Sequence, residues 1–588
     1  MKSIFALFAQ LSPVIALLLY LDGPLANAQT IAPGESGART FARQFLSQAP
    51  PESIPPGTID RDRRDLQPLP GDLRVPNSNE ILESVPTPAP NLPTAPDLTV
   101  EVRRVEVLGN TVFSAEDLAP VVAPYEGRSL SFEELLSIRT AITDLYTRRG
   151  YMTSGAFLPP QDISDGVVQI QAVEGELERI EIAGLNRLKT SYVRDRLGIA
   201  AGPPVNIEQL EQALQLLQLD PRIRSIQADL KAGTTPGRSI LTVDVREASA
   251  LGSSLAIDNN DSPTVGSIRY SATLNHNNLL GFGDRLHLEY GRTEGVNDYN
   301  FRYEIPLNPR DGTLQLGYNN SRSTIVENPF DELDIKGRTQ TVSLGFRQPI
   351  VRRSTEELAL GLTLDWRQSR TFLLDDIPFS FSEGPEKGES KVTALRLSGD
   401  WVRRSPNRVL AARSQLSLGL DILGATSNDD APDGRFISWI GQFQWVQGLG
   451  KNVVGVARVA TQLTPNSLLP LEQFSIGGVD TVRGYRQNQR VGDNGAIGAL
   501  EVRIPVFSGP EWLGVVEVAP FVDAGIVWNN SGSVPSPNTL VSTGLGLRWN
   551  APHFSARVDW GLPLTDADDG GDSLQDSGLF FSLQVYPF

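Results

Sequence analysis

Residues 251–588 alternate between apolar and polar side chains in short segments, and this alternation restricts the possible folds of the chain most strongly. A period of two is the pattern of a β-strand whose two faces meet different surroundings. The segments in which it is clearest are 496–504, 516–528, 541–549, 554–560 and 579–585. Charged residues such as Glu501 and Asp523 share one face of these segments, and tryptophans stand near several ends. Strands between lipid and a wet lumen have this composition.

About sixteen such segments follow one another, spaced by roughly 21 residues, which fits a membrane strand of ~10 residues plus half of a turn and half of a loop. The sequence therefore predicts a membrane β-barrel of 16 antiparallel strands over 249–588. The short interruptions, such as 308–312 and 550–553, are assigned to periplasmic turns. The long and mostly acidic interruptions, such as 369–390 and 565–577, are assigned to external loops.

Proline marks several of the predicted strand ends. Each of these prolines is followed by an apolar residue, and they are Pro306, Pro349, Pro505 and Pro563. Because proline cannot donate a hydrogen bond to the ladder, we expect each of them to lie at a strand terminus.

The first 98 residues divide into three segments by composition. Residues 1–28 predict a cleaved signal peptide, with Lys2, an apolar stretch over 14–21 and an A-x-A site that ends at Ala28. Residues 29–48 contain a possible short helix, and residues 49–98 form a proline-rich linker. No later stretch approaches the ~20 apolar residues that a membrane-spanning helix requires.

Residues 99–248 contain the same unit twice, at a constant offset of 75 residues. The matched positions are apolar or glycine, and they include Val105 with Ile180, Gly109 with Gly184, Val168 with Val243, and Ile170 with Val245. The first copy covers 99–175 and the second 176–248, and each predicts strand, helix, helix, strand, strand. The main helix of the first copy is expected to start near Ser131, where Glu134 completes a capping box. Its counterpart in the second copy is expected to start at Asn206.

Composition and charge disfavour several classes of function. The formal net charge of −17 disfavours a nucleic-acid partner. The chain has no cysteine, and its three histidines lie far apart, so we expect no metal site and no histidine-based catalytic triad. The sequence contains no catalytic constellation and no phosphate-binding loop, so we expect no enzyme activity and no cofactor.

The first copy contains a distinctive set of sequence motifs over about thirty residues. The run RGYMTS over 149–154 precedes LPPQ over 158–161 and VEG over 173–175. This set of motifs resembles the first POTRA domain of two-partner secretion transporters. A small sheet with an open edge can receive an extended client as an added strand. The candidate client-binding residues are therefore Arg149, Gly150, Tyr151, Leu158, Pro159 and Gln161.

A glycine-rich loop over about 464–495 carries a second motif, formed by Val482, Arg483, Gly484 and Tyr485. It precedes an F-x-D-x-G strand that contains Phe521, Asp523 and Gly525, and the chain ends on Phe588. This order resembles the TpsB family of outer-membrane transporters, with its ShlB- and FhaC-like members, within the superfamily that joins POTRA domains to a barrel. The resemblance implies that the loop folds into the lumen, that Arg483 pairs with Asp523, and that Phe588 is an insertion signal. Glu501 and Glu517 also point inward and remain rival partners for Arg483.

The resemblance implies an outer-membrane protein with periplasmic POTRA domains that transports an unfolded, TpsA-like partner across the outer membrane. Client folding outside would drive transport without ATP, and residues 29–48 would form a plug. Further implied partners are outer-membrane lipid and, during biogenesis, the barrel-assembly machinery. Two alternatives stay open. An assembly factor for other barrels usually carries more POTRA copies, and a porin-like passive solute pore needs none.

Overall fold

The computed structural model describes residues 66–70 and 99–587, apart from 236, 375–376, 430–431, 451, 533–535 and 568–570. The predicted signal peptide, the predicted plug over 29–48, most of the linker and Phe588 lie outside these residues, so those predictions stay predictions. No helix among the described residues has both the length and the apolar character needed to cross a membrane.

The first α/β unit follows the predicted order, with one extra strand pair. Its elements are β1 (Thr99–Val102), β2 (Arg104–Leu108), α1 (Ala115–Val122), β3 (Arg128–Ser131), α2 (Phe132–Arg148), β4 (Gly155–Phe157) and β5 (Val167–Val173). Strands β2 and β5 are parallel, β4 joins β5 antiparallel, and β1 pairs separately with β3. The buried face of α2 consists of Leu135, Ile138, Ile142, Leu145 and Tyr146, as the helical period predicted.

The second α/β unit repeats this arrangement without the extra pair. Its elements are β6 (Glu176–Ala183), α3 (Thr190–Gly198), α4 (Ile207–Gln218), β7 (Ile223–Ala232) and β8 (Arg238–Glu247). The sheet order is β6-β8-β7, with β6 parallel and β7 antiparallel to β8. The apolar face of α4 is buried in the core of this unit, as predicted.

Capping residues and glycines explain why both units fold alike. Ser131 accepts from the amide of Glu134 and forms the predicted capping box, and Asn206 caps α4 in the same way without one. Gly109 and Gly184 both adopt a positive φ, where glycine carries no steric penalty. A Cβ atom at either position would lie within 3 Å of a main-chain oxygen of the neighbouring strand.

The remaining chain closes into an antiparallel barrel. The first strands are β9 (Leu251–Asp258), β10 (Arg269–His276), β11 (Arg285–Arg292), β12 (Val296–Pro306), β13 (Thr313–Thr324), β14 (Lys336–Arg352), β15 (Glu356–Leu373), β16 (Ile377–Pro378), β17 (Glu389–Ser405), β18 (Arg408–Leu420), β19 (Ile437–Gly450) and β20 (Val453–Leu463). Two short strands, β21 (Phe474–Ile476) and β22 (Arg490–Gly492), pair with each other in a separate sheet and are not part of the barrel wall. The wall resumes with β23 (Asn494–Ser508), β24 (Val515–Trp528), β25 (Thr539–Asn550), β26 (Phe554–Pro563) and β27 (Leu579–Val585).

Closure occurs between β27 and β9, so the first and last strands of the barrel are neighbours. The two-residue β16 pairs only with the end of β15, and the other members of the ring are sixteen long strands, as predicted. Closure satisfies the main-chain groups that would otherwise form a sheet edge in lipid.

The strands present apolar side chains outward and mostly polar side chains inward. On β24 the exposed Val522 and Ile526 alternate with the buried Phe521 and Asp523.

The proline prediction is wrong at two of four positions. Pro306 and Pro563 end their strands, but Pro349 and Pro505 lie within β14 and β23. Both strands carry a β-bulge there, which removes the local demand for a ladder donor.

Candidate functional site

The connection between β20 and β23 is an inward loop, residues 464–493, that contains β21 and β22. Phe474, Ile476, Val482 and Tyr485 from this loop form a buried apolar cluster with Ile497, Val527 and Leu540 of the barrel wall. The tip of the loop, 479–487, therefore lies inside the lumen and is enclosed by β23, β24 and β25.

Arg483 is the most enclosed charged residue of this loop, with a side chain that is 1% exposed. Its Nε and Nη2 donate to the two carboxylate oxygens of Asp523, at 2.7 and 2.9 Å. Its Nη1 donates to Glu501 Oε2 at 2.6 Å and lies 3.4 Å from Asp559 Oδ1. A planar guanidinium matches a carboxylate in this two-point geometry, and an ammonium group does not.

The ring of Phe521 covers one face of the same guanidinium, with Arg483 Cζ 3.5 Å from the ring centroid. This contact excludes water from that face and adds a cation–π attraction. Asp523 and Phe521 stand two residues apart on β24, so one strand supplies both the carboxylate and the aromatic cover.

Three glycines allow the loop to approach the wall. Gly484 adopts a φ of +94° and lies directly against Gly561 of β26, where a Cβ atom on Gly561 would come within 2.6 Å of the Gly484 nitrogen. On β24, a Cβ atom on Gly525 would lie 2.8 Å from Val482. The glycines at 484, 525 and 561 thus provide space for direct backbone and side-chain contact.

Tyr485 completes the motif on the other side of the tip. Its hydroxyl donates to the Val541 carbonyl at 2.7 Å and accepts from the Thr565 amide at 3.0 Å. The four motif residues therefore contact β24, β25, β26 and the segment that follows β26.

The acids around Arg483 belong to a wider charge cluster that also contains Arg503, Arg548 and Arg557. Glu501 accepts from Arg548 at 2.5 Å and from Arg503 at 2.8 Å, and Asp559 pairs with Arg557. Sequence reasoning did not select Asp559, although the alternation of β26 had placed it on the polar face. The rival candidate Glu517 lies elsewhere on β24, and Arg483 contacts Asp523, Glu501 and Asp559 instead.

The candidate client-binding residues of the first α/β unit fall into two groups. The carbonyls of Arg149 and Gly150 accept from Asn206 Nδ2 at 3.0 Å and from the Ile207 amide at 2.9 Å, so this dipeptide forms the joint with the second unit. Tyr151 and Leu158 pack against the core, and Pro159 is half-buried.

The side chain of Gln161 hydrogen-bonds to the main chain of the neighbouring strand β5. Its carboxamide accepts from the Gln169 amide and donates to the Gln169 carbonyl, both at 2.7 Å. These are the two main-chain groups that an added strand would use at that position of β5.

The VEG motif of the first unit forms a hydrogen-bonded junction. Glu174 accepts from the amide of Thr111 at 2.7 Å and from the hydroxyl of Tyr146 at 2.9 Å. Burial raises the pKa of the Glu174 carboxyl, but the hydrogen bonds from Thr111 and Tyr146 outweigh it and hold this pKa below its ordinary value. Gly175 follows, and a Cβ atom there would lie 2.2 Å from Thr153 Oγ1. This part of the motif therefore stabilises the domain itself.

Five residues of the predicted linker, 66–70, lie against lumen-facing side chains of β18 and β19. Gln442 Nε2 donates to the Gln67 carbonyl at 3.2 Å, and Gln444 Nε2 lies 3.2 Å from the carbonyls of Leu69 and Pro70. Gln67 also lines a lumen cavity of about 410 Å³. Composition identified these residues as a linker but contained no signal for their position.

The comparisons with known proteins agree with this architecture. The family model described as haemolysin secretion/activation protein ShlB/FhaC/HecB matches residues 237–549, and the ShlB-type POTRA domain matches residues 100–175. The outer membrane transporter CdiB of Escherichia coli O6:K15:H31 (strain 536 / UPEC) is 26% identical over 484 residues, or 79% of each chain. The heme/hemopexin transporter protein HuxB of Haemophilus influenzae (strain 86-028NP) is 22% identical over 511 residues, 82% of this chain and 86% of its own.

A solved structure of CdiB from Escherichia coli has the same fold. It superimposes with a TM-score of 0.68 at 23% identity and covers 95% of this chain and 100% of its own. The family model matches more than half of the chain, and a POTRA domain precedes the closed barrel. This chain is an outer-membrane β-barrel protein, and it belongs to the haemolysin secretion/activation family ShlB/FhaC/HecB.

Proposed function

We propose that this transporter exports an unfolded partner exoprotein from the periplasm to the cell surface, and that the inward loop controls passage through the lumen. The enclosed contact between Arg483 and Asp523 is the observation that carries this proposal. It fixes a loop inside the lumen through which a client would pass. A solute pore gains nothing from a loop held in this way.

Transport in this proposal uses no nucleotide and no catalytic step. The periplasm-facing domains hold no phosphate-binding loop in their sequence. A client that folds outside the cell cannot return through the lumen, so its folding free energy makes export directional. Outer-membrane lipid and the barrel-assembly machinery are proposed partners of the barrel during insertion.

Capture of the client is assigned to the POTRA domains. The sheet of the first domain has β2 and β4 at its edges, and that of the second has β6 and β7. The Ala156 amide of β4 is already bonded to Thr143 Oγ1. A client strand near Arg149–Gln161 would therefore displace contacts of the domain itself, including the one that Gln161 makes with Gln169.

Reconstitution tests transport and its energy source together. The purified transporter is inserted into liposomes, and a urea-unfolded exoprotein encoded beside its gene is added outside without ATP. We expect the exoprotein to become protected from protease in vesicles that contain the wild-type protein. A variant that lacks residues 99–175 should insert but leave the exoprotein unprotected.

Two outcomes would contradict the proposal. Protection that requires added ATP would refute the nucleotide-free mechanism, and equal protection by the 99–175 deletion would refute capture by the first POTRA domain. Folding of a co-added barrel protein into the vesicles, without protection of the exoprotein, would favour an assembly factor.

A further inference from the structure

The base of the inward loop forms a second buried ion cluster, away from Arg483. Glu472 ends the short 3₁₀ turn Pro470–Glu472, and its side chain is 5% exposed. Its Oε1 accepts from Arg396 Nη2 at 2.7 Å and from Arg367 Nη1 at 3.3 Å. Both arginines belong to the barrel wall, on β17 and β15.

Further hydrogen bonds fix the loop main chain at this place. Arg367 Nη1 donates to the Leu471 carbonyl at 2.8 Å, and Gln462 Nε2 donates to the Glu472 carbonyl at 2.9 Å. Behind the loop, Arg396 also donates to Asp365 at 2.6 Å and to Ser417 at 2.9 Å. Arg396 therefore keeps a charged partner when Glu472 loses its charge.

The wall is apolar where the base of the loop meets it. Leu468, Leu469 and Leu471 are buried against Val392, Ala394 and Phe436. Val392 and Ala394 share the inward face of β17 with Arg396, because they stand four and two residues before it. A lumen wall that met only water would carry polar residues at these positions, so this patch is adapted to the loop.

The two ends of the loop contact opposite walls. The base contacts β17, and the tip contacts β24 and β26. From β17 the ring passes through β18, β19, β20, β23, β24 and β25 to β26, which is seven steps in a ring of sixteen strands. The charges are also reversed, because the loop supplies the acid at its base and the arginine at its tip.

We infer that Glu472 is a second positioning residue of the transporter, and that its contact with Arg396 and Arg367 holds the inward loop across the lumen in the resting state. Asp365, Arg367 and Arg396 line the lumen cavity of about 410 Å³, so the base contact borders the open part of the lumen. Release of the base would let this half of the loop move while Arg483 holds the tip. This inference rests on the proposed role of the loop in controlling passage.

Ion conductance of the full-length protein in planar bilayers tests the inference without any client. Glu472→Gln keeps the size of the side chain but removes its charge, and we expect open-channel occupancy to rise about tenfold, as the loss of one charge-assisted hydrogen bond implies. Arg396→Gln removes the same contact from the wall side and should raise the occupancy similarly. The double variant should conduct no more often than the more open single variant.

Glu389→Gln is the matched control. Glu389 lies on β17, the strand that carries Arg396, but it pairs with Arg370 and Lys391 outside the cluster. It should conduct like the wild type. Insertion of each variant is checked by heat-modifiable migration. Wild-type conductance in inserted Glu472→Gln and Arg396→Gln would overturn the inference. Raised conductance with unchanged export would support the contact at the base of the loop and count against the proposed control of passage by the loop.

Discussion

At the scale of single residues, Arg483 shows how a charge is kept inside the lumen. Its guanidinium is removed from water, and such a group is stable only when its hydrogen bonds and charge are both compensated. Asp523 supplies a two-point partner, Glu501 a third hydrogen bond, and Phe521 covers one face. The loop tip is thereby fixed in one orientation.

Substitution of either member of this pair tests the tip contact. Arg483→Ala leaves several buried acids with one cation fewer, and we expect a local cost of about 3–5 kcal/mol. Asp523→Ala should cost less, because Arg483 keeps Glu501. Both should impair export while insertion persists, and Arg483→Lys should not restore it, since lysine lacks the planar fork.

Both effects are measured in an export assay. The amount of exported protein is divided by the amount of barrel that is exposed at the cell surface. The double variant Arg483→Ala with Asp523→Ala should be no worse than Arg483→Ala alone. Strictly additive defects would mean that the two residues act separately.

Sequence reasoning reached this site only in part. Alternation placed Phe521, Asp523 and Gly525 on one face of a strand, because the side-chain period of a strand is two. It could not decide between Asp523, Glu501 and Glu517, since the path of a loop through a lumen has no period. The contact of Gly484 with Gly561 joins residues 77 positions apart, and only the closed barrel brings them together.

At the scale of elements, the most distinctive sequence motif of the first POTRA domain forms part of a joint between domains. The carbonyls of Arg149 and Gly150 follow the end of α2 and face the amino-terminal end of α4. Val205 also donates to the Gly175 carbonyl at 2.8 Å. The helix periods predicted α2 and α4 themselves, but a repeat carries no information on how its copies meet.

Asn206 allows this joint to be separated from the helix cap. Its Oδ1 accepts from the Gln209 amide and caps α4, while its Nδ2 donates to the Arg149 carbonyl. Asn206→Asp keeps an acceptor for the cap but loses the donor, so it should loosen the joint with little loss of helix stability. Asn206→Ala loses both and should cost about 1 kcal/mol more.

Spin-label distances between the two POTRA domains report on the joint, and labels can be placed at will because the chain has no cysteine. The Asn206→Asp distance distribution should be broader than that of the wild type, and export should fall. An unchanged distribution in both variants would show that the joint does not depend on Asn206.

At the scale of the whole molecule, the second POTRA domain is attached to the periplasmic rim of the barrel. Arg196 of α3 pairs with Asp311 in the turn between β12 and β13, and Arg352 of β14 pairs with the same carboxylate. The Lys189 amide donates to the Gly281 carbonyl at 2.9 Å. One turn carboxylate therefore connects the domain to two parts of the wall.

Loss of this carboxylate should loosen the attachment of the domain to the barrel. Asp311→Ala leaves Arg196 stacked on Tyr192 but unpaired with the turn, and Arg196 is only 9% exposed. We expect label distances between the second POTRA domain and the barrel to broaden, and export to fall. Glu181→Ala is the control, because its partner Arg179 is half-exposed and such surface pairs contribute little. Equal distances in Asp311→Ala and wild type would contradict this attachment.

The short segment 66–70 has a consequence for the affinity of the lumen for a client. It hydrogen-bonds to Arg413 of β18 and to Gln442 and Gln444 of β19 inside the lumen, and it belongs to the same covalent chain as the barrel. A covalently connected ligand has an effective concentration that is set by its connection and does not fall on dilution. Any client that enters beside Arg413 and Gln442 must compete with this internal ligand, so the affinity of the lumen for a client is a difference between two occupants. Export should therefore respond to client concentration as a competition, with a half-saturation point that lies above the intrinsic dissociation constant of the empty wall.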